Sequence, residues 1–156
     1  MDFAIRPARR GDLDEITALW YELATMHEGI MEGYDLGEEP VKEWKRLMRD
    51  CFDRKDMITF VAVEENTVIG FASVILRNRA PFFRDRHMGV IMDVYVKRER
   101  RGEGIGTKLV SGAERWIKNK GIDLTTVTVA PENEEGVKFW SKMGYKTYLL
   151  KQRKEL

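Results

Sequence analysis

The chain has 156 residues, a length that one hydrophobic core can fill, and we expect a single domain over residues 1–156. Its 27 basic and 26 acidic side chains leave a net charge of +1, which gives no general attraction to nucleic acid or to an anionic membrane. One cysteine cannot form an intramolecular disulfide, and two isolated histidines lack the spacing of a zinc or iron site. With neither a secretion signal nor a membrane span in the sequence, we expect a cytoplasmic protein without a metal.

The first part of the chain predicts a strand followed by a helix. Phe3 and Ile5 alternate with polar neighbours, which is typical of a short strand. Asp12 and Glu15 have the spacing of a capping box, which predicts the start of a helix. Apolar residues at helical spacing continue from there to His27.

A loop, a second helix and a hairpin follow. Residues 28–39 hold three glycines and many carboxylates, which suit a loop, and Pro40 then favours the first turn of a helix whose apolar side ends at Cys51. Residues 58–63 and 68–76 are rich in β-branched side chains and are separated by four polar residues. We expect them to be antiparallel neighbours.

The next stretch, residues 78–88, is polar and basic, and we interpret it as a loop in which Phe82 and Phe83 act as an aromatic anchor. The following β-rich segment predicts a strand over residues 90–96.

The last third of the chain predicts helices alternating with strands. An amphipathic helix ends at Gly121, a strand covers residues 124–129, a shorter helix covers residues 134–143, and a last strand covers residues 145–150. Strands flanked by helices throughout the chain predict an α/β fold, with helices covering both faces of a mixed sheet.

The glycine-rich turn at residues 101–106 follows a predicted strand and leads directly into a helix. Glycines allow the backbone to approach a ligand closely, and the first amides of a helix point toward one spot, so this turn predicts a pyrophosphate site. A P-loop requires Gly-Lys-Ser/Thr, whereas Gly106 is followed by Thr107 and Lys108. A dinucleotide-binding turn requires G-x-G-x-x-G, whereas the glycines here are spaced G-x-G-x-G.

The same stretch resembles the acetyl-CoA-binding motif of the GCN5-related N-acetyltransferases, Gln/Arg-x-x-Gly-x-Gly/Ala, at Arg101, Gly104 and Gly106. Residues 91–96 resemble that family's central strand, and residues 133–145 resemble its second motif, N-x-x-A-x-x-F-Y-x-K-x-G-F. The motifs occur in the family's order, and the resemblance covers essentially the whole chain. It implies the acyl-CoA N-acyltransferase fold, in which the mixed sheet is largely antiparallel.

The resemblance also implies a reaction. Acetyl-CoA would be the cosubstrate, and a small-molecule or protein amine would attack it directly through a tetrahedral intermediate. The amides of residues 101–107 would hold the pyrophosphate, and the backbone of residues 94–96 would pair with the pantetheine arm. The implied cofactor-binding residues are Val94, Tyr95, Val96, Arg101, Gly102, Glu103, Gly104, Ile105, Gly106, Thr107, Asn133, Trp140 and Lys142.

Proton transfer needs further residues. An amine must lose a proton before it attacks, and Asp93 is the candidate base, although a structural carboxylate is an equal interpretation of this residue. Trp140 stands where the family often has a tyrosine that protonates the departing thiolate, and an indole N–H is not a useful acid. Either Tyr145, Tyr148 or Tyr95 replaces that tyrosine, or the thiolate leaves without a proton donor.

Several hypotheses about partners follow. The carboxylates of residues 28–39 fall in the loop that helps to form the acceptor side in this family, which favours a cationic acceptor such as a polyamine. The tryptophan at position 140 supports a different hypothesis, a module that binds acetyl-CoA without turnover. A nucleic-acid binder using the basic residues 97–101 is a third hypothesis, which the near-zero net charge disfavours. We expect neither a nucleic-acid nor a membrane partner, and the resemblance allows a homodimer.

Overall fold

The structure is a computed structural model and describes residues 2–156. Within these residues, five strands form one sheet in the order β1-β2-β3-β4-β5. The strands are β1 (Ala4–Pro7), β2 (Met57–Glu64), β3 (Thr67–Asn78), β4 (His87–Val96) and β5 (Thr125–Val127). The helices are α1 (Leu13–Ile30), α2 (Pro40–Cys51), α3 (Ile105–Asn119) and α4 (Glu134–Lys142). The first four strands pair antiparallel and β5 runs parallel to β4, which confirms the mixed, largely antiparallel sheet.

Helices cover both faces of the sheet. Successive strand residues point to opposite sides, so neighbouring residues of one strand pack against different helices. Val61, Phe71 and Tyr95 lie opposite one another on three strands and pack against α1 and α2. Phe60, the residue before Val61, belongs to the core on the other face, together with residues of α3 and α4. Trp44 of α2 stacks on an α1 tryptophan at 4.9 Å between ring centroids, which ties the first two helices together.

The hairpin between β2 and β3 turns through Glu65 and Asn66, whose φ angles are 48° and 65°. Two consecutive left-handed residues are the geometry that a two-residue hairpin requires, so the predicted hairpin is confirmed with a tighter turn.

The predicted capping box at the start of α1 is wrong. The carboxylate of Asp12 accepts hydrogen bonds from the Arg6 guanidinium at 2.8 and 3.0 Å and from the Arg9 backbone N–H at 2.7 Å. Glu15 accepts instead from the backbone N–H of Val68, at 2.9 Å. A bidentate, charge-assisted pair with arginine is stronger than a bond to a helix amide, so the guanidinium determines where the Asp12 carboxylate points.

Two other predictions are wrong as well. Residues 145–150 form no strand, and Tyr148, Leu149 and Leu150 are exposed, because the segment has no neighbouring strand with which to pair. Phe82 is 83% exposed and its ring lies 4.8 Å from that of Phe83, so it does not anchor the loop to the core. The Arg79 guanidinium lies over the Phe83 ring, 3.9 Å from the centroid.

The remaining strand boundaries differ by a few residues. The strand predicted from residue 90 already begins at His87, and the one predicted over residues 124–129 is limited to Thr125–Val127. No helix among residues 2–156 combines the length and the apolar character needed to cross a membrane.

Candidate active site

The central feature of the site is a strand edge that opens part-way along β4. Its pairing with β5 covers only Gly89 to Ile91. Ile91 lies opposite Val74 and Asp93 opposite Ser73, so Met92 is an extra residue in β4, the arrangement of a β-bulge. From the bulge to the end of β4, no strand of residues 2–156 pairs with the edge that faced β5. Backbone donors and acceptors of the predicted pantetheine-binding residues therefore lie along an open edge.

Close packing of α3 on β4 aligns this edge with the start of the helix. A Cβ at Gly89 would collide with the Ile117 side chain near the end of α3, so glycine is required for the helix to lie this near the strand. The chain then leaves β4, turns through residues 97–104 and enters α3.

The turn itself requires glycine at two positions. Gly102 and Gly104 have φ angles of 83° and 81°, which other residues rarely adopt. Gly104 is the N-cap of α3 and has no side chain to accept from the first amides, and the first turn holds no acidic residue. The side chain of Ile105 is buried in the core, so this residue offers only its amide, while Thr107 is exposed. These amides and the helix dipole together suit an anion.

Ion pairs hold the turn in place. Arg100 donates to Glu103 at 2.9 and 3.1 Å and to Glu64 at the end of β2. The guanidinium lowers the pKa of Glu103, and the two carboxylates raise the pKa of Arg100. Because one guanidinium is shared by two carboxylates, these bonds order the turn and reduce the charge of Glu103 without cancelling it.

Arg101 joins three parts of the site. Its Nε donates to the carbonyl oxygen of Val96 at 3.1 Å, and its guanidinium lies over the Tyr95 ring, 5.0 Å from the centroid. The same group lies 3.6 Å from the Glu135 carboxylate at the start of α4. The bond from Arg101 occupies one of the two lone pairs of the Val96 carbonyl oxygen, at the end of the open edge.

Helix α4 packs against the glycine turn. Asn133 caps this helix, because its Oδ1 accepts from the Gly136 backbone N–H at 3.0 Å. A Cβ at Gly106 would lie 3.3 Å from the Phe139 ring, so the turn and the helix are in direct contact. Trp140 is buried, with its ring 5.1 Å from that of Phe139, and it belongs to the core. Lys142 is exposed at the end of the helix.

Asp93 lies beside the bulge, half-buried on the face that α1 and α2 cover. Burial raises the pKa of its carboxyl to about 6. Tyr34, from the loop after α1, packs against the core on this face, and its ring lies 5.4 Å from that of His27. Burial, followed by the negative charges of Asp93 and Glu28, raises the pKa of Tyr34. Sequence reasoning missed Tyr34, for which the one signal was an aromatic side chain within the acidic loop.

The three candidate tyrosines have different surroundings. The Tyr145 hydroxyl donates to Glu114 of α3 at 2.8 Å, and its ring packs on Trp140 at 5.0 Å. Burial raises the pKa of this phenol, which makes it a weaker acid, and the catalytic role of Tyr145 stays a prediction. Tyr95 is buried beneath Arg101, and Tyr148 is exposed. In the part of the chain that the structure describes, no three His, Cys, Asp or Glu side chains group as metal ligands would.

The sequence model of the family described as Acetyltransferase (GNAT) matches residues 19–145 of this chain. The chain belongs to the GNAT family. The resemblance found in the glycine turn and in the second motif is thereby confirmed. An aminoglycoside N-acetyltransferase solved in complex with CoA superimposes with a TM-score of 0.79 at 18% identity, covering 99% of this chain and 96% of that chain. At this level of identity, the likeness shows the GNAT fold.

Two curated relatives in the GNAT family are longer than this chain. An uncharacterized N-acetyltransferase of Methanocaldococcus jannaschii is 25% identical over 144 residues, which cover 92% of this chain and 60% of that protein. A spermidine N(1)-acetyltransferase of Thermoplasma acidophilum is 32% identical over 92 residues, which cover 58% of this chain and 52% of that protein. The chain thus aligns with little more than half the length of these relatives.

Proposed function

We propose that this chain is an acetyl-CoA-dependent N-acetyltransferase whose acceptor is a small cationic amine. The observation that carries the proposal is the continuity of one strand: the open edge of β4 begins at the Met92 bulge beside Asp93 and ends at the glycine turn that starts α3. This continuity supports a site in which a carboxylate, an unpaired strand edge and uncapped helix amides follow one another along the chain.

The residues present fit acetyl-CoA, which supplies an acetyl group activated as a thioester. The uncapped amides at the start of α3 suit its pyrophosphate, and Arg101 provides an adjacent positive charge. The unpaired edge of β4 suits the amide groups of the pantetheine arm, which would add to the sheet as a strand does. The ion pair of Glu103 with Arg100 reduces the repulsion that this carboxylate would exert on the pyrophosphate.

Asp93 has the properties of a general base. With a pKa of about 6, its carboxylate is ionised at neutral pH yet accepts a proton more readily than an ordinary aspartate. An amine acceptor arrives mostly as an ammonium ion, which the carboxylate attracts before it takes the proton. The Tyr145 hydroxyl donates its proton to Glu114 in a hydrogen bond. We therefore propose that the thiolate leaves without a proton donor from the chain.

The acceptor class is supported by charge. The α1–α2 loop faces Asp93 through Tyr34 and carries the acidic side chains Glu32, Asp35, Glu38 and Glu39. Glu28 stabilises this loop by accepting from the Leu36 backbone N–H at 2.8 Å. A surface of this charge favours a polyamine over a neutral amine, in keeping with the spermidine acetyltransferase among the relatives.

Thiol release from acetyl-CoA tests the proposal, with spermidine and an aminoglycoside as cationic acceptors and a neutral amine for comparison. We expect kcat/KM for the cationic acceptors to rise about tenfold per pH unit below pH 6 and to level off above it, because the base must be ionised. Asp93→Asn should lower kcat by about 10² to 10⁴-fold and leave the Kd for CoA unchanged. Asp123→Asn, which alters an exposed carboxylate paired with Lys118, is the matched control.

The free energy of unfolding of Asp93→Asn provides a second test. The pKa of Asp93 is raised above its ordinary value of 3.8, so ionisation destabilises the folded state progressively as the pH rises toward 6. Asp93→Asn should therefore be more stable than the wild type at pH 8, by up to ~2–3 kcal/mol. Tight CoA binding without thiol release from any acceptor would instead establish the second candidate, a binding module, which the buried Trp140 favours.

A further inference from the structure

A groove lies between the end of α2, the start of β2 and the end of α3. Its volume of about 350 Å³ falls in the range of roughly 300–1,000 Å³ that small-molecule pockets occupy. The groove follows from the unequal lengths of two strands. β1 ends at Pro7, which lies opposite Phe60, so residues 57–59 of β2 extend past the end of their neighbour.

The extension of β2 directs main-chain groups toward the groove. Backbone groups of an antiparallel strand alternate between its two edges. The Asp56 carbonyl accepts from Leu76 of β3, whereas the Thr59 carbonyl accepts from the Ala8 N–H on the other side, at 2.8 Å. Met57, two residues before Thr59, therefore directs its N–H and C=O to the β1 side, which β1 does not reach.

The wall of the groove is mostly apolar and its rim is basic. Met48 is buried, and Met57 and Trp116 are half-buried along the wall. Three exposed cations, Arg54, Lys55 and Lys120, also line it. Among the described residues that line the groove, none is Asp or Glu.

Two of the three cations are not used by the fold. The Arg54 guanidinium donates to the Asp56 carboxylate at 2.8 and 2.6 Å, so its charge is balanced within the chain. Among residues 2–156, Lys55 and Lys120 form no ion pair, and the Lys120 Nζ lies 5.1 Å from the centroid of the Trp116 ring. An ammonium group thus stands directly beside an aromatic wall.

The other aspartates of this region do not cancel the charge of these lysines. Asp53 pairs with Arg10. Asp50 is exposed on α2 and does not line the groove. Positive charge therefore predominates at the rim.

We propose that this groove binds an organic carboxylate with an apolar aromatic or aliphatic body. The body would cover Met48 and Trp116, and the carboxylate would lie at the rim with Lys55 and Lys120. The Met57 N–H supplies a further donor. A neutral ligand would leave the lysines without a partner, and a bare inorganic anion would leave the apolar wall exposed to water.

The groove is separate from the site at the glycine turn. α3 has 15 residues and is therefore about 22 Å long, with the glycine turn at its start and Trp116 near its end. A ligand in the groove and CoA at the turn can thus bind at the same time. The inference does not depend on the proposed function.

Three probes with the same apolar body test the required charge: phenylbutyrate, phenylbutanol and phenylbutylamine. We expect calorimetry to give phenylbutyrate a Kd of about 1 mM or lower. The alcohol and the amine should bind at least about fivefold more weakly, because they lack the negative charge. Equal affinity for the alcohol, or no binding of phenylbutyrate, would overturn the proposal.

Substitutions of lysine test the position of the carboxylate. Lys55→Gln and Lys120→Gln should each raise the Kd for phenylbutyrate about two- to fivefold, and the double variant about tenfold. Lys118→Gln is the matched control, since Lys118 is an exposed lysine at the same end of α3 that pairs with Asp123 outside the groove. An equal loss in the control would show a general effect of charge and contradict the site.

The single cysteine of the chain reports where the probe binds. Cys51 lines the groove, so bound phenylbutyrate should slow its alkylation by iodoacetamide, followed by mass spectrometry. Saturating CoA should leave the affinity for phenylbutyrate unchanged. Displacement of the probe by CoA, with no protection of Cys51, would place the carboxylate at the glycine turn and overturn the proposal. Unfolding midpoints of all variants identify any that fold poorly.

Discussion

The start of α3 packs against Phe139 of α4, but the two helices satisfy their first amides differently. The start of α4 is capped by Asn133 and carries Glu134 and Glu135 in its first turn, so the protein itself supplies both the acceptor and the negative charge. The start of α3 has neither, because Gly104 offers no side chain and no acidic residue follows it. A helix start that the chain leaves uncapped is available to an external anion, whereas a capped one serves only the fold.

Gly104→Val should have the largest effect on the difference between the two helix starts. A Cβ at this position meets no atom within 4 Å, so the new side chain would fill the open space at the turn. We expect the Kd for CoA to rise by at least about 100-fold, measured by calorimetry, because the turn can no longer approach a phosphate.

Gly121→Val is the matched control for this change. Gly121 follows the other end of α3, has a φ of 77° and also meets no atom within 4 Å of its Cβ position. Both variants should lose about 1–2 kcal/mol of stability from backbone strain, but only Gly104→Val should lose CoA binding. Equal losses of affinity would show that strain, and not access to the amides, explains the effect.

A second and smaller effect is expected at the capped helix. Asn133→Ala removes the acceptor for the Gly136 amide and should lower the free energy of unfolding by about 0.5–2 kcal/mol, measured by urea denaturation. The Kd for CoA should rise no more than about threefold, since the cap acts within the chain.

Asn133→Ser separates capping from ligand contact without adding a charge. It keeps an oxygen that can accept from the Gly136 amide but removes the side-chain N–H group. A large loss of CoA affinity in this variant, without loss of stability, would show that Asn133 contacts the cosubstrate directly, as the sequence predicts.

Salt should produce the smallest effect. Lys97, Arg98 and Arg101 precede the uncapped helix start, so raising NaCl from about 50 to 500 mM should weaken CoA binding about three- to tenfold through screening. Pantetheine, which lacks the phosphates, should bind with little dependence on salt. A dependence of equal size for both ligands would contradict an anion site at α3.

The sequence alone is enough to predict the parts of the fold that local chemistry determines. The bounds of α2 are correct because Pro40 and the apolar side of the helix are both local signals. The glycine turn is found because its left-handed backbone requires glycine, whatever surrounds it. Family motifs add the order of the parts and the identity of the family.

What the sequence does not show depends on neighbours that only folding brings together. The bond of Asp12 to Arg6 overrides a capping pattern that is locally correct. The position of Asp93 opposite Ser73 depends on the register of β3 and β4, which the bulge at Met92 shifts by one residue. Residues 145–150 have the composition of a strand, but a strand also needs a partner.

The short pairing between β4 and β5 has a thermodynamic consequence. A sheet that is complete only when a ligand occupies its gap is stabilised by that ligand, by about 2.7 kcal/mol at a hundredfold excess over its Kd. We therefore expect the melting temperature and the resistance of this chain to proteolysis to rise with the concentration of acetyl-CoA. The amount of intact protein in a cell would then follow the concentration of acetyl-CoA.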